Sequence, residues 1–167
     1  SAASDVYKRQ DYQVFGGLSF YQRKEIKDVL AYLRIIENTN DEESLRRIIN
    51  FPPRGIGQTT LDKLNILSNE HNVSMFEAIS IINKSSKLFN QRTIQKLEDF
   101  KNLIESFKIF SSKNNAYETT NLVIHKTRLI DFYRNEGTLE SMNRIENIEE
   151  LLNLSLIHIS EPTRRYR

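Results

Sequence analysis

The chain has 167 residues, 38% of them apolar and 28% charged, and a formal net charge of +2. This is enough for one domain with a real core, but it is no polycation, so any nucleic acid must be held by a local patch. The lack of cysteine excludes disulfides and thiolate metal sites. His71, His125 and His158 form no ligand spacing, and no apolar run is long enough to span a membrane. A cytoplasmic protein is the expectation.

The two ends look foreign to the rest. Ser1–Gln10 has no signal-peptide core. Within it, "DVYKRQ" (Asp5–Gln10) can be encoded GAT GTG TAT AAG AGA CAG. The reverse complement of that string, CTG TCT CTT ATA CAC ATC, translates as "LSLIHI", which is Leu154–Ile159. The string looks like the transposon end used in sequencing-library adapters, and the flanking "SAAS" and "SEPTR" fit adapter sequence too. Residues 1–10 and 154–167 are therefore expected to be translated adapter, with Asp11–Asn153 the native stretch and itself a fragment. Helicity in apolar "LSLIHI" would not count against this.

Between the ends, "YQVFGG" (Tyr12–Gly17) alternates briefly and closes on two glycines, which predicts a short strand running into a turn. From Gln22 the period becomes helical, with Ile26, Val29, Leu30, Leu33 and Ile36 on one face and Lys24 and Asp28 spaced to pair on the outside. "NTNDEE" breaks this helix, and Asn40 with Glu43 offers a capping box for the next. That helix carries Leu45, Ile48 and Ile49 and stops before Pro52-Pro53, because a residue before proline avoids the α region. A third helix starts near Thr59–Thr60 with Leu61, Leu64 and Leu67 inward. Ser74 and Glu77 offer a capping box for "MFEAISIIN". Gln91–Phe110 places Ile94, Leu97, Phe100, Ile104 and Phe107 on one core stripe. Thr119–Lys126, Leu129–Arg134 and Arg144–Leu152 complete the helices, with Gly137 as punctuation and no repeat period. The expected fold is mainly α, built of helix–loop–helix units with one short β-strand near the N-terminus.

"FPPRGIGQTT", residues 51–60, concentrates two of the five glycines and two of the three prolines. Glycines let backbone N–H groups come close to a bulky anion and take positive φ. The N-terminus of the following helix adds free donors and partial positive charge. Thr59 and Thr60 can cap that helix or donate to a phosphate oxygen. Arg54, with Arg46, Arg47 and Lys63, supplies charge, and Ile56 is expected to point inward as an anchor. Such a loop suits a nucleic-acid backbone without reading bases. A plain helix connection with a glycine cap fits the same pattern, and the arginines suit a solvated face equally well.

Other residues carry a plain reading beside a functional one. Phe20, Tyr21 and Arg23 either contact single-stranded DNA or pack the strand onto the helix. Glu42-Glu43 and Glu149-Glu150 read as helix-surface solvation. Arg144 and Glu146 read as structural, holding a returning helix, and His125 has no partner in the pattern.

An ordered run of signatures adds to this: Gly16-Gly17, then Phe20 and Arg23, Glu25-Ile26-Lys27-Asp28, Tyr32-Leu33-Arg34, Arg47-Ile48-Ile49-Asn50 and Arg54-Gly55-Ile56-Gly57, with Arg144–Glu150 near the end. Together they closely resemble the UvrD/Rep/PcrA family of superfamily 1 DNA helicases over nearly all of Asp11–Asn153, most strongly at its two ends. The resemblance implies a parent that is an ATP-driven 3′-to-5′ motor using ATP and magnesium. Residues 11–28 would be the tail of the second motor domain and 29–153 most of an inserted accessory helical subdomain. Arg54, Gly55, Ile56, Gly57, Gln58, Thr59, Thr60 and Lys63 would contact the duplex backbone, and Phe20 and Arg23 the motor domain. Implied partners are duplex DNA, single-stranded DNA in the parent and the remaining motor domains; no membrane is implied. No Gly-x-x-x-x-Gly-Lys-Ser/Thr occurs here, so the fragment itself should hold no cofactor or metal and hydrolyse nothing. Pro53 departs from the polar or basic residue often found there and would stiffen the approach to the loop. A stand-alone helical DNA-binding or protein-interaction module and a helicase–nuclease subunit stay open as alternatives.

Overall fold

A computed structural model describes residues 19–82 and 87–159, which form nine helices. They are α1 (Ser19–Gln22), α2 (Lys24–Glu37), α3 (Glu42–Ile48), α4 (Gln58–His71), α5 (Met75–Ser80), α6 (Gln91–Ser111), α7 (Ala116–Lys126), α8 (Leu129–Glu136) and α9 (Leu139–Ile159). The mainly helical expectation holds. The strand expected over Tyr12–Gly17 lies outside the described residues; among those described every regular element is a helix, and the strand is not borne out.

α2 is the centre of the molecule because it is apolar on more than one face. Ala31, Tyr32, Ile35 and Ile36 join α3, α4, α5 and α6 in one core cluster, where the α6 stripe of Ile94, Leu97, Phe100, Ile104 and Phe107 is buried as its spacing requires. Ile26 and Val29 join Phe20 of α1, Ile124 of α7, Leu129 and Tyr133 of α8, and Ile145, Ile148 and Leu151 of α9 in a second cluster. Leu33 touches both. Leu30 and Leu33, expected on the core stripe, are only half-buried.

Short polar side chains start most of the helices. Asp41, not Asn40, caps α3: it accepts from the Ser44 N–H at 3.1 Å, one residue later than the expected box. Ser74 caps α5 by accepting from the Glu77 N–H, Asn90 caps α6, and Asn115 with Glu118 forms a reciprocal capping box on α7. α4 begins at Gln58, with Gly57 at the capping position and no side-chain cap.

Candidate nucleic-acid interface

The 51–57 loop is clamped at both ends by different cores. Phe51 packs with the second cluster, its ring 5.1 Å from that of Phe132 and 6.1 Å from that of Tyr133. Lys24 Nζ of α2 sits 3.7 Å from the centroid of the same ring. Ile56, 1% exposed, is buried in the first cluster, as its place between two glycines predicted. Between these anchors the Asn50 carboxamide organises the turn: Oδ1 accepts from the Arg54 N–H at 2.7 Å and from the Ile56 N–H at 3.1 Å. The Phe51–Pro52 peptide bond is cis.

The Arg54 side chain folds inward. Its guanidinium donates to the carbonyls of Ile48 (2.7 Å) and Ile49 (3.1 Å) at the C-terminus of α3, the first of which also accepts from the Phe51 N–H, and more weakly to that of Phe51 (3.4 Å). It also donates to the Tyr32 hydroxyl, and it lies over the rings of Tyr32 and Phe100, at 5.7 and 5.3 Å. The Tyr32 hydroxyl in turn donates to the Phe51 carbonyl at 2.5 Å. Burial pushes this hydroxyl above the usual tyrosine range, with Arg54 pulling the other way. The planar fork of arginine suits this multiple carbonyl contact, which a lysine could not reproduce.

Outside that clamp the loop is open. Gly55, Gly57, Gln58 and Thr59 are exposed, and Thr60 and Lys63 are half-buried. Gly55 has φ +80, which disfavours any side chain. Gly57 has ordinary extended geometry, and a Cβ there would meet nothing within 4 Å. The first helical bond of α4 runs from the Leu61 N–H to the Gly57 carbonyl, so the N–H groups of Gln58, Thr59 and Thr60 are the free donors that every helix start leaves. The Gln58 side chain is occupied, donating to Asp62 at 2.8 Å. The arrangement presents a fixed row of backbone donors with room for an anion to come close.

Away from the loop, buried acids knit α2 to its neighbours. Asp28, with a side chain only 2% exposed, is shared by Lys24 (2.9 Å) and Arg47 (2.6 Å). The Lys24–Asp28 pair expected on the outside is thus half inside, because α3 and the loop close over it. Glu25 accepts from Asn147 of α9 at 2.7 Å and lies 3.9 Å from Arg144. Arg144 also pairs with Glu140 at 2.8 Å, so its structural reading fits. Phe20 is buried, and Arg23 lies over the Phe20 ring at 5.7 Å and donates to Asn147 at 2.8 Å. The Tyr133 hydroxyl is buried with no hydrogen bond of normal geometry among the described residues; burial first, then nearby Asp28, pushes it up to about 12, with the Arg144 guanidinium beside the ring pulling the other way. An open groove of about 1190 Å³ between α2 and α3 is lined by Lys27, Arg34, Arg46 and Arg47 among others, and no loop residue lines it. No group of three metal-ligating side chains occurs among the described residues, and no helix there is long and apolar enough to cross a membrane.

The structure thus gathers Gly55, Gly57, Gln58, Thr59 and Thr60 on one open edge, turns Ile56 and Arg54 inward, and sets Phe20 and Arg23 against α9. Sequence reasoning missed three contributors. Asn50 was visible as a helix-end asparagine before a Pro-Gly loop. Tyr32, carried in the sequence only as a family signature, and Lys96, whose Nζ lies beside Gly55, come from other helices, and nothing local ties either to the loop.

Comparison with known proteins adds a lineage. The profile of the UvrD-like helicase C-terminal domain family matches residues 7–162. The DNA helicase II of Haemophilus influenzae is 36% identical over 141 residues, 84% of this chain and 19% of that protein. The ATP-dependent DNA helicase PcrA of Staphylococcus epidermidis is 38% identical over 145 residues, and that of Staphylococcus aureus over 143, each covering 86% of this chain and 19% of the relative. The chain thus spans about a fifth of the length of these relatives.

Proposed function

The chain belongs to the UvrD-like helicase C-terminal domain family, and on that premise we propose that it is a piece of an ATP-dependent 3′-to-5′ DNA helicase of the cytoplasm. Its part is to grip the backbone of duplex DNA ahead of the fork through the loop at residues 54–60 and Lys63, and so to regulate unwinding. The observation that carries this is the clamped loop, whose Gln58, Thr59 and Thr60 N–H groups have no acceptor among the described residues, with open space at Gly57. Preorganised backbone donors hold phosphate oxygens without reading sequence. ATP and magnesium belong to the rest of the parent: this chain has neither the phosphate-cradling motif nor, among the described residues, an acidic cluster fit for a metal. Residues 11–28 are read as the tail of the second motor domain and 29–153 as the accessory subdomain, with Phe20 and Arg23 on the motor side. That division falls inside α2, which is one continuous helix.

The test is a duplex titration of the chain over salt. Weak binding whose affinity falls steeply and linearly in log–log form is expected. Binding indifferent to salt, or none at all, would argue for a helix-packing module instead. Residues 1–10 and 154–167 are read as translated adapter, supported by the reverse-complement relation between their codons. The profile match, residues 7–162, covers residues 7–10 of the first stretch and 154–162 of the second, and resequencing the locus separates native from adapter codons.

A further inference from the structure

The loop needs a mobile cation as well as backbone donors if it is to hold a phosphate against competing salt, and Arg54 does not supply one. Its guanidinium is committed to three carbonyls and the Tyr32 hydroxyl, between two aromatic rings. Lys96, on α6, is placed differently. Its stem and ammonium lie along Gly55: a Cβ on that glycine would sit 2.6 Å from Nζ, 3.1 Å from Cε and 3.3 Å from Cδ. Lys96 is one helical turn before Phe100, on which Arg54 stacks. α6 therefore supports the loop from below with a ring and reaches its exposed edge with an ammonium. The bare Cα of Gly55 is what leaves room for that side chain. Lys96 has no ion pair and no hydrogen-bond partner among the described residues; nearby Asp99 is instead engaged by Gln95 at 2.8 Å. An unpaired ammonium resting on an exposed, donor-rich turn is a phosphate-binding constellation in which backbone fixes position and lysine contributes charge.

We propose that Lys96 joins Lys63 as a phosphate-gripping cation at the loop, contacting the same backbone phosphate that the N–H groups at the start of α4 approach, while the Arg54 side chain holds the loop in shape. This rests on the duplex-binding reading above. The experiment is fluorescence anisotropy of the full chain with a labelled blunt DNA duplex from about 50 to 200 mM salt, for the unmodified protein, Lys96→Ala, Lys96→Gln and Lys96→Arg. Each protein is first shown to melt like the parent. Lys96→Ala and Lys96→Gln should lower the slope of log affinity against log salt by about 1 and weaken binding roughly five- to tenfold at about 0.1 M salt, with Lys96→Arg keeping the slope. Acetylation of Lys96, followed by mass spectrometry, should be suppressed by the duplex. A parental slope in Lys96→Ala, or acetylation unaffected by bound duplex, overturns the role of Lys96 and leaves duplex binding standing. Failure of the unmodified chain to bind duplex overturns the reading on which it rests.

Discussion

Arg54 donates to the hydroxyl of Tyr32, a residue twenty-two positions earlier at the centre of α2. Through this contact the most positively charged point of the loop becomes part of the core that carries it. The guanidinium donates to the Ile48 and Ile49 carbonyls at the α3 C-terminus and ties them to α2 and α6.

Arg54→Ala should therefore read out as lost stability. Removing a charged donor from several half-buried carbonyls is expected to cost about 2–3 kcal/mol, and Arg54→Lys should recover little of it, because one ammonium cannot span the same acceptors. Chemical denaturation checks this. The salt slope of duplex binding, measured where the variant is still folded, should stay near the parental value.

The two loop glycines should separate under substitution. Gly55→Ala forces a side chain into φ +80 and against Lys96, at a cost of about 1–2 kcal/mol, so any binding loss there mixes with strain. Gly57→Ala meets nothing within 4 Å and keeps an ordinary backbone. It should change the melting temperature by only a few degrees while weakening duplex binding, since the methyl group stands where a phosphate must approach. Unchanged binding in Gly57→Ala would mean that no ligand comes close at that point.

Tyr133 gives an alkaline signature. Its hydroxyl is pushed up to about 12 by burial and by Asp28, so the folded state keeps a proton that the unfolded chain loses near pH 10. The resulting stability is complete below pH 10 and is lost as pH rises from there towards 12. Tyr133→Phe removes a buried hydroxyl that has no hydrogen bond of normal geometry among the described residues. It should leave stability at neutral pH unchanged or slightly higher, and denaturation curves should show a shallower decline above pH 10. Tyr32, also raised, keeps part of that decline in place.

Asn147 holds α9 to α2 by accepting from Arg23 and donating to Glu25. Asn147→Asp would replace the donor with a second carboxylate beside an acid that is only 3% exposed. A loss of about 3 kcal/mol at neutral pH is expected. The deficit should shrink as pH falls and the new carboxyl takes up a proton. A thermal melt that is the same at both pH values would show that the amide is not what closes this contact.

Much of this protein was decided by its sequence alone. The periodic stripe on α6, the breaks at the Asn-rich and Pro-rich stretches, the inward set of Ile56 and the order of the family signatures are local features, because helical period and turn chemistry act over a few neighbouring residues. Boundaries drifted by small amounts, as at α3, where Asp41 and not Asn40 caps, since either side chain can reach a free N–H and only the exact backbone geometry chooses. The tertiary structure decided where the long charged side chains went. Arg54 was expected to face outward with the other arginines, and it turns inward because Tyr32, Phe100 and the end of α3 meet there. Lys96 reaches Gly55 because α6 packs beneath the loop, and Asp28 is buried because α3 brings Arg47 over it. A flexible charged chain has no direction of its own; the carbonyls, rings and opposite charges that direct it come from helices distant in sequence.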